Sequence, residues 1–270
     1  MDLPPDRIRG PGFDTRNPPT FRCTVWALAG GGCSPQIFAG IDLPGVCWQP
    51  LDWVRSPGPH DPGSVADWLG GQLAQRQGPT LLAGHSLGAF IALLTAIRHP
   101  QHVDGLILSN TGARIEGHGD PGLPQRIREQ WDAQAQAEYL RQCFLHPPAP
   151  ALWQQCLAYL RDLPVVTLLE GIEGLRRMDL SAELGRVRCP TLVAHGRLDT
   201  RRPIESALLM ARCIPGARLA LLPGGHTPMV DCRAEYIGAV NAFLAGLGLA
   251  DVPPHPNPNP NPNPISQETP

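Results

Sequence analysis

A serine flanked by two glycines stands between two apolar runs of the chain. The run at 80–83 stops at Gly84, Ser86 and Gly88 complete the pattern Gly-x-Ser-x-Gly, and a second apolar run begins at Ala89. In a strand-turn-helix setting, small neighbours let such a serine stand out of the core at a helix N-terminus. The pattern predicts that Ser86 is a nucleophile, although a serine that only caps a helix would share it.

A serine hydroxyl needs a general base, and the base needs an acidic residue that orients it. Two polar residues follow predicted strands in the order serine, acid, histidine: Asp199 after PTLVAHG and His226 after ARLALLPG. The alternative acid position follows an earlier strand, but the segment SNTGAR at 109–114 has no carboxylate until Glu116. We therefore expect Ser86, Asp199 and His226 to meet at the carboxyl edge of one sheet.

The other histidines fit the role of base less well. Most lie in loops rich in proline and glycine, in the tail, or beside the turn that ends the nucleophile helix. His195 lies on the strand before Asp199, where we expect it to pack or to form a hydrogen bond. His85, next to the nucleophile, is expected to shape the pocket wall.

An oxyanion formed during acyl transfer needs backbone N–H donors. Leu87 follows the nucleophile and is expected to supply one of them. The second is expected from Gly31, with Gly30 as the next choice, in the loop AGGGCSP after the first predicted strand. A flexible glycine loop without a role is the alternative, and a nucleotide site is poorly supported because no Gly-x-Gly-x-x-Gly frame is present.

Short apolar runs of strand length alternate with amphipathic runs along most of the chain. This alternation predicts an α/β protein with a mostly parallel central sheet flanked by helices. The predicted strands are 21–29, 46–54, 79–84, 103–110, 189–196 and 217–224. The predicted helices of the core are 64–76, 86–99, 203–214 and 234–247.

The alternation breaks between residues 113 and 180, where the sequence predicts three helices and no strand. We interpret 113–180 as a helical cap inserted before the acid-bearing strand, and 21–112 with 181–250 as the core. Residues 1–20 are expected to form an irregular proline-rich arm. Residues 251–270 are expected to be a disordered tail rich in proline and asparagine.

The predicted cap carries the residues that would choose a substrate. Its aromatic residues predict an apolar-lined pocket for a small or medium acyl group, although most would pack the cap onto the core. Its arginines could meet an acidic carrier or a carboxylate, although a solvated face is the usual role. The aromatic residues are Trp131, Tyr139, Phe144, Trp153 and Tyr159. The arginines are Arg114, Arg126, Arg128, Arg176 and Arg177.

Composition excludes several classes of function. The chain has 270 residues, a net charge of −2 and no lysine, so Schiff-base chemistry and a basic nucleic-acid surface are not expected. Its eight cysteines form no CxxC pair and are expected to be free thiols. With no secretion signal and no membrane-length apolar run, we expect a cytoplasmic protein without a membrane partner. The oligomeric state stays open.

Three motifs together resemble the α/β-hydrolase fold family over about residues 21–248: GHSLG, CPTLVAHGRLDTRRP and LPGGHTPMVD. The segment DLSAELGRVRCPTLVAHG is similar to the return from cap to core in its esterase and enol-lactonase branch. That branch includes the carboxylesterase acting on pimeloyl carrier-protein methyl ester. Two features depart from the family: Ala29 replaces the usual histidine of the oxyanion loop, and residues 1–20 leave little room for two leading strands.

The resemblance and the predicted triad imply a serine hydrolase that forms an acyl-enzyme on Ser86. Its substrate would be a small-molecule carboxylic ester, lactone or thioester, either free or carrier-bound, and no metal or organic cofactor is expected. One alternative is a carbon–carbon bond hydrolase or a cofactor-independent oxygenase on the same fold. Another is a non-catalytic binding protein that kept the scaffold.

Overall fold

A six-stranded sheet forms the centre of the molecule. The computed structural model describes residues 21–115 and 120–251, and the following statements concern those residues. The strands are β1 Cys23–Leu28, β2 Val46–Leu51, β3 Thr80–His85, β4 Gly105–Ser109, β5 Thr191–Gly196 and β6 Arg218–Leu222. All neighbouring strands are parallel, in the spatial order β2-β1-β3-β4-β5-β6. The predicted mostly parallel sheet is confirmed, and the carboxyl ends of its strands share one edge.

Helices precede and follow the strands as the sequence pattern predicts. In the described residues they are α1 Pro62–Leu73, α2 Leu87–Arg98, α3 Leu123–Glu129, α4 Ala133–Arg141, α5 Pro150–Asp162, α6 Val165–Arg176, α7 Ile204–Cys213, α8 Pro228–Asp231 and α9 Arg233–Gly246. α1 begins after Asp61, whose carboxylate accepts the N–H groups of Gly63 and Ser64. α2 is buried along its whole length up to Arg98, because it packs against β3, β4 and α1. This central helix carries the turn of Ser86.

Four helices, not three, lie between β4 and β5 in the described residues; we call α3–α6, residues 123–176, the helical insert. The sequence predicted one helix over 123–144, but the structure ends α3 at Glu129 and begins α4 at Ala133. Asp132 explains the break, because its side chain accepts the N–H groups of Gln134 and Ala135 at 3.0 and 2.9 Å. An aspartate in this position starts a new helix rather than continuing the previous one.

The two ends of the insert meet beside the sheet. Arg114 and Asp179 form an antiparallel bridge, and the Leu180 N–H donates to the Ala113 carbonyl at 2.8 Å. The chain therefore leaves the core and returns to it at one place. Because that place follows β4 and precedes β5, the insert lies next to the edge where these strands end.

Several sequence predictions fall outside the described residues. They concern the arm at 1–20, the tail from residue 252 onward, and the room for strands before β1. Among the helices that the structure describes, none combines the length and apolar character needed to cross a membrane. The eight cysteines, all within the described part, are free thiols, and six of them are buried.

Candidate active site

Ser86 lies in a tight turn between β3 and α2. Its backbone has φ 52° and ψ −118°, a conformation that costs a non-glycine residue about 1–3 kcal/mol. The turn needs both flanking glycines: a Cβ on Gly84 would lie 2.3 Å from the Ala89 Cα, and one on Gly88 would lie 2.3 Å from the Leu28 carbonyl oxygen. The Gly-x-Ser-x-Gly spacing thus follows from the close approach of strand and helix.

The structure brings Ser86, His226 and Asp199 into one hydrogen-bonded chain. His226 Nε2 lies 3.1 Å from the Ser86 Oγ, and His226 Nδ1 lies 2.9 Å from the Asp199 Oδ2. The exposed fraction of the side chain is 5% for His226 and 0% for Asp199. With Nδ1–H donating to the carboxylate, Nε2 is left as an acceptor for the serine hydroxyl.

The Asp199 carboxylate is held ionised by its hydrogen bonds. Its Oδ2 accepts from the Asn110 Nδ2 at 2.7 Å, and its Oδ1 accepts the backbone N–H groups of Arg201 and Arg202 at 2.8 and 3.1 Å. Burial alone would raise the pKa of Asp199, but His226 and these donors hold that pKa well below its usual range. The carboxylate therefore keeps a full negative charge beside the imidazole.

His226 is neutral at pH 7. Burial lowers its pKa to about 4, and the nearby guanidinium groups of Arg201 and Arg202 act in the same direction against the attraction of Asp199. A neutral imidazole is the form that can accept a proton from a serine hydroxyl. The geometry and the protonation state of His226 therefore both suit a general base.

Asn110, which the sequence analysis did not single out, connects three parts of the site. It follows β4 with φ 48°. Besides the bond to Asp199, its Nδ2 donates to the Gly225 carbonyl at 3.0 Å, and its Oδ1 accepts the Gly196 N–H at 3.3 Å. The sequence prediction for 109–114 concerned only carboxylates, and this segment has none. An asparagine at a strand end was the available signal, because asparagine tolerates the left-handed conformation.

His85 lies beneath the site rather than in the pocket wall, so that expectation was wrong. Its side chain is fully buried, and its Nε2 donates to the His226 carbonyl at 2.9 Å. The two imidazole rings meet edge to face with centroids 4.9 Å apart. Burial lowers the pKa of His85 to about 3, so the ring is neutral. His85 fixes the backbone of the histidine above it.

The glycine loop after β1 faces the nucleophile and is held from both sides. The Gly31 carbonyl accepts the Tyr139 hydroxyl at 2.7 Å, and the Ala29 carbonyl accepts the Trp53 Nε1–H at 2.9 Å. Gly31 lines the same cavity as Ser86 and Leu87. A Cβ on Gly30 would lie 3.0 Å from the His85 Nδ1 and 3.1 Å from the Ser86 Cβ, so Gly30 packs against the end of β3 and the nucleophile turn.

A cavity of about 370 Å³ lies between Ser86 and the helical insert. The prediction of an apolar lining is wrong in part, because arginines line this cavity together with aliphatic side chains. Of the aromatic residues proposed from the sequence, Tyr139 lines it, whereas Phe144 and Trp153 line a separate groove. Arg126 and Arg176 line it as well, and Arg201 and Arg202 join them from the loop after Asp199.

Within 21–115 and 120–251, no group of three or more His, Cys, Asp and Glu side chains is arranged to hold a metal ion.

The sequence profile of the alpha/beta hydrolase fold matches residues 41–231, which include Ser86, Asp199 and His226. The chain belongs to the alpha/beta hydrolase fold family. The resemblance stated from the three motifs is thereby confirmed for most of the core.

Relatives of this alpha/beta hydrolase include esterases. A pimeloyl-[acyl-carrier protein] methyl ester esterase of Shewanella woodyi is 26% identical over 221 residues, which cover 76% of this chain and 82% of that protein. An esterase from Exiguobacterium antarcticum superposes with a TM-score of 0.75 at 21% identity, covering 84% of this chain and 93% of the other. The enol-lactonase from Burkholderia xenovorans gives 0.69 at 18% identity, covering 82% and 91%. At these identities the two solved structures establish the shared fold.

Proposed function

We propose that this alpha/beta hydrolase cleaves a carboxylic ester, lactone or thioester through an acyl-enzyme on Ser86. The observation that carries the proposal is the buried chain from Asp199 through His226 to Ser86, with contacts of 2.9 and 3.1 Å. A serine at a strained turn, a neutral imidazole and an ionised carboxylate in this order are the parts that nucleophilic acyl transfer requires.

In the first half-reaction, the Ser86 Oγ attacks the acyl carbonyl while His226 Nε2 takes its proton. Asp199 holds the imidazole in the tautomer with Nδ1–H and stabilises the imidazolium that forms. The backbone N–H groups of Leu87 and Gly31 would bind the tetrahedral oxyanion, with Gly30 as the next choice. The position of Leu87 supports this role, because the first N–H of a helix has no partner inside the helix.

The intermediate then breaks its bond to the leaving group, which receives the proton from His226. Water attacks the acyl-enzyme in the second half-reaction, His226 accepts a proton from that water, and Ser86 regains a proton as the acid leaves. Every proton is returned to the site, and each step is carried by the side chains and backbone N–H groups named above.

The substrate would be a small or medium acyl compound. The cavity of about 370 Å³ supports this size. Residues 113–180, which include the insert, would act as a cap over the core. The Shewanella relative is named for an ester on an acyl-carrier protein, which supports an ester as substrate, either free or carrier-bound. Among the described residues, no observation favours carbon–carbon bond hydrolysis or oxygenation over the proposed ester, lactone or thioester hydrolysis.

Turnover of p-nitrophenyl butyrate by the purified protein tests the proposal. We expect saturable release of p-nitrophenol by the wild type, and a loss of about 10,000-fold or more in kcat for Ser86→Ala. Ser181→Ala, a serine-to-alanine change outside the site, is the matched control and should keep wild-type kcat. If the folded wild type releases no p-nitrophenol above the rate of Ser86→Ala, the hydrolase proposal fails.

A further inference from the structure

Arg201 and Arg202 line the cavity beside Ser86 without an acidic partner for their guanidinium groups. Across 21–115 and 120–251, no carboxylate oxygen lies within 4.0 Å of either guanidinium. The Arg201 Nη1 reaches the Gln142 Oε1 at 3.5 Å, and its guanidinium covers the Tyr139 ring at 5.1 Å. The Arg202 Nη1 donates to the Arg201 carbonyl at 2.8 Å. Each guanidinium has five N–H donors, so most of these donors have no partner among the described side chains and carbonyls.

Two neighbouring arginines of the cavity, Arg126 and Arg176, differ in how their guanidinium groups are paired. Arg126 forms an ion pair with Asp120, so its charge is balanced locally. Arg176 donates to the carbonyls of Asp120 and Pro121, but its buried Nε has no partner within the described part of the chain. Arg176 therefore adds a third positive charge and another unused donor to the wall.

The positive charge of this wall exceeds the negative charge near it. Asp199 is close, but its oxygens are occupied by His226, Asn110 and the two backbone N–H groups. Burial, together with the neighbouring Arg201 cation, lowers the pKa of Arg202 to about 10, so the two cations oppose each other. These half-buried guanidinium groups have no acidic partner among the described residues, and an anion at this wall would supply one.

The rest of the cavity lining suits an aliphatic chain. Ile115 and Leu123 contribute apolar surface from one side, and Ile172 and Leu175 contribute it from α6. A chain of methylene groups could therefore run along the aliphatic surface from the acyl carbonyl at Ser86, with its far end at the arginines. A substrate of this kind has a neutral acyl carbonyl at Ser86 and a negatively charged group at its other end.

We propose that Arg201 and Arg202, supported by Arg176, bind a carboxylate that the substrate itself carries. The inference rests on the proposed function, and it names the substrate class as esters bearing a free carboxylate, such as half-esters of dicarboxylic acids. Two guanidinium groups give a carboxylate both charge neutralisation and several N–H donors. Neutral esters of the same length lack this interaction.

Three esters test on which side of the scissile bond the substrate carries its carboxylate. Monomethyl adipate carries it on the acyl side, carboxymethyl hexanoate carries it on the alcohol side, and methyl hexanoate has none. We expect kcat/KM to be about 10–100-fold higher for one of the two charged esters than for methyl hexanoate. The preferred charged ester then tells which side of the scissile bond lies at the arginines.

Arg201→Gln and Arg202→Gln test the assignment to these residues. Each change should raise the KM of the preferred charged ester about tenfold and leave that of methyl hexanoate within about twofold. A change in the triad itself would affect both esters equally, so the ratio isolates carboxylate binding. Arg212→Gln, an exposed arginine on α7, is the control and should keep the wild-type ratio. If both variants keep the wild-type ratio, the proposal is overturned.

Binding to Ser86→Ala makes the test independent of turnover. Titration calorimetry should show that the preferred charged ester binds at least tenfold more tightly than its own neutral methyl ester, and that Arg202→Gln in the same background removes the difference. Failure of the hydrolase proposal would appear as binding without any ester cleavage by the wild type. Failure of the carboxylate proposal would appear as equal affinity for the two esters.

Discussion

The sheet edge and the helical insert face each other across one cavity, but they supply different parts of the site. The ends of β3, β4 and β5 and the loop after β6 carry Ser86, Asn110, Asp199 and His226, which hydrogen-bond to each other directly. The insert supplies side chains that line the cavity, and the Tyr139 hydroxyl donates from it to the Gly31 carbonyl of the core. Under the proposed function, we therefore expect the chemistry to depend on the strand ends, and substrate choice to depend on the side chains around the cavity.

The physical reason lies in how each region is positioned. Neighbouring strands fix the edge through the sheet register, so that His85 lies opposite Ser109 and the Ser86 N–H donates to the Ser109 carbonyl at 2.9 Å. The insert lies outside the sheet and its register, and in α4 the buried residues are Tyr139 and Leu140. We therefore expect substitutions at the edge to lower kcat and substitutions in the cavity wall to change KM.

Asp199→Asn should have the largest effect among the residues that support Ser86. The amide would favour the wrong tautomer of His226 and would remove the charge that stabilises the imidazolium, so kcat should fall about 1,000–10,000-fold with KM little changed. Steady-state hydrolysis of p-nitrophenyl butyrate measures this. Asp67→Asn, on the surface, is the control. A loss below tenfold would remove Asp199 from the role of orienting acid.

Asn110 tests whether the edge acts as a hydrogen-bonded unit. Asn110→Gly and Asn110→Ala both remove the bond of 2.7 Å to Asp199, and we expect each to lower kcat about 10–100-fold. Glycine tolerates the backbone φ of 48°, whereas alanine does not, so the alanine variant should also lose about 1 kcal/mol in free energy of unfolding relative to the glycine variant. Urea denaturation measures that difference. Full kcat in both variants would contradict the role given to Asn110.

The pH dependence of kcat/KM tests the buried state of His226. Its pKa of about 4 lies below the usual value of 6.5, so the neutral base persists as pH falls until about pH 4. We expect kcat/KM for a neutral ester at pH 5.5 to stay within about twofold of its value at pH 7.5, whereas an ordinary histidine would lose about tenfold.

The lowered pKa of His226 also affects the free energy of unfolding, so the folded state must be checked separately at each pH. The unfolded chain binds a proton at His226 below about pH 6.5 and the folded chain does not, so this residue destabilises the fold as pH falls below 6.5. Circular dichroism at both pH values should show a folded protein. A fall in kcat/KM with an apparent pKa near 6.5, in a protein that is still folded, would contradict the burial of the His226 imidazole.

Tyr139→Phe sharpens the comparison, because Tyr139 is a residue of the insert that contacts the glycine loop after β1, which we propose to bind the oxyanion. Loss of the bond of 2.7 Å to the Gly31 carbonyl should loosen the loop and lower kcat about 3–10-fold, the smallest effect of this series. Tyr159→Phe, whose hydroxyl bonds Asp52 outside the cavity, is the matched control. An unchanged kcat for Tyr139→Phe would leave the chemistry entirely to the sheet edge.

The sequence was informative where a residue type and a strand end coincide. Ser86, Asp199 and His226 each follow an apolar run, so their shared edge could be predicted from the parallel sheet. Asn110 also follows such a run, but it was overlooked because its contribution is a hydrogen bond to an acid and not an acidic group. A local capping role for Asp132 was hidden inside an amphipathic pattern.

The cavity wall could not be predicted in the same way. Arginine occurs on solvated faces and in pockets alike, and the two cases differ only in tertiary packing. The sequence analysis named Arg126 and Arg176, which line the cavity, but not Arg201 and Arg202, which lie only two and three residues beyond Asp199. Their importance depends on which acidic side chains come near them, and that is a property of the folded chain.

Labelling with diisopropyl fluorophosphate, followed by intact mass spectrometry, tests the central claim most directly. The probe is small enough for the cavity and reacts with a serine that a neighbouring base activates. We predict one adduct on the wild type, located at Ser86, and none on Ser86→Ala under the same conditions. A folded wild type that stays unlabelled, or equal labelling of Ser86→Ala, would contradict an activated nucleophile at this turn.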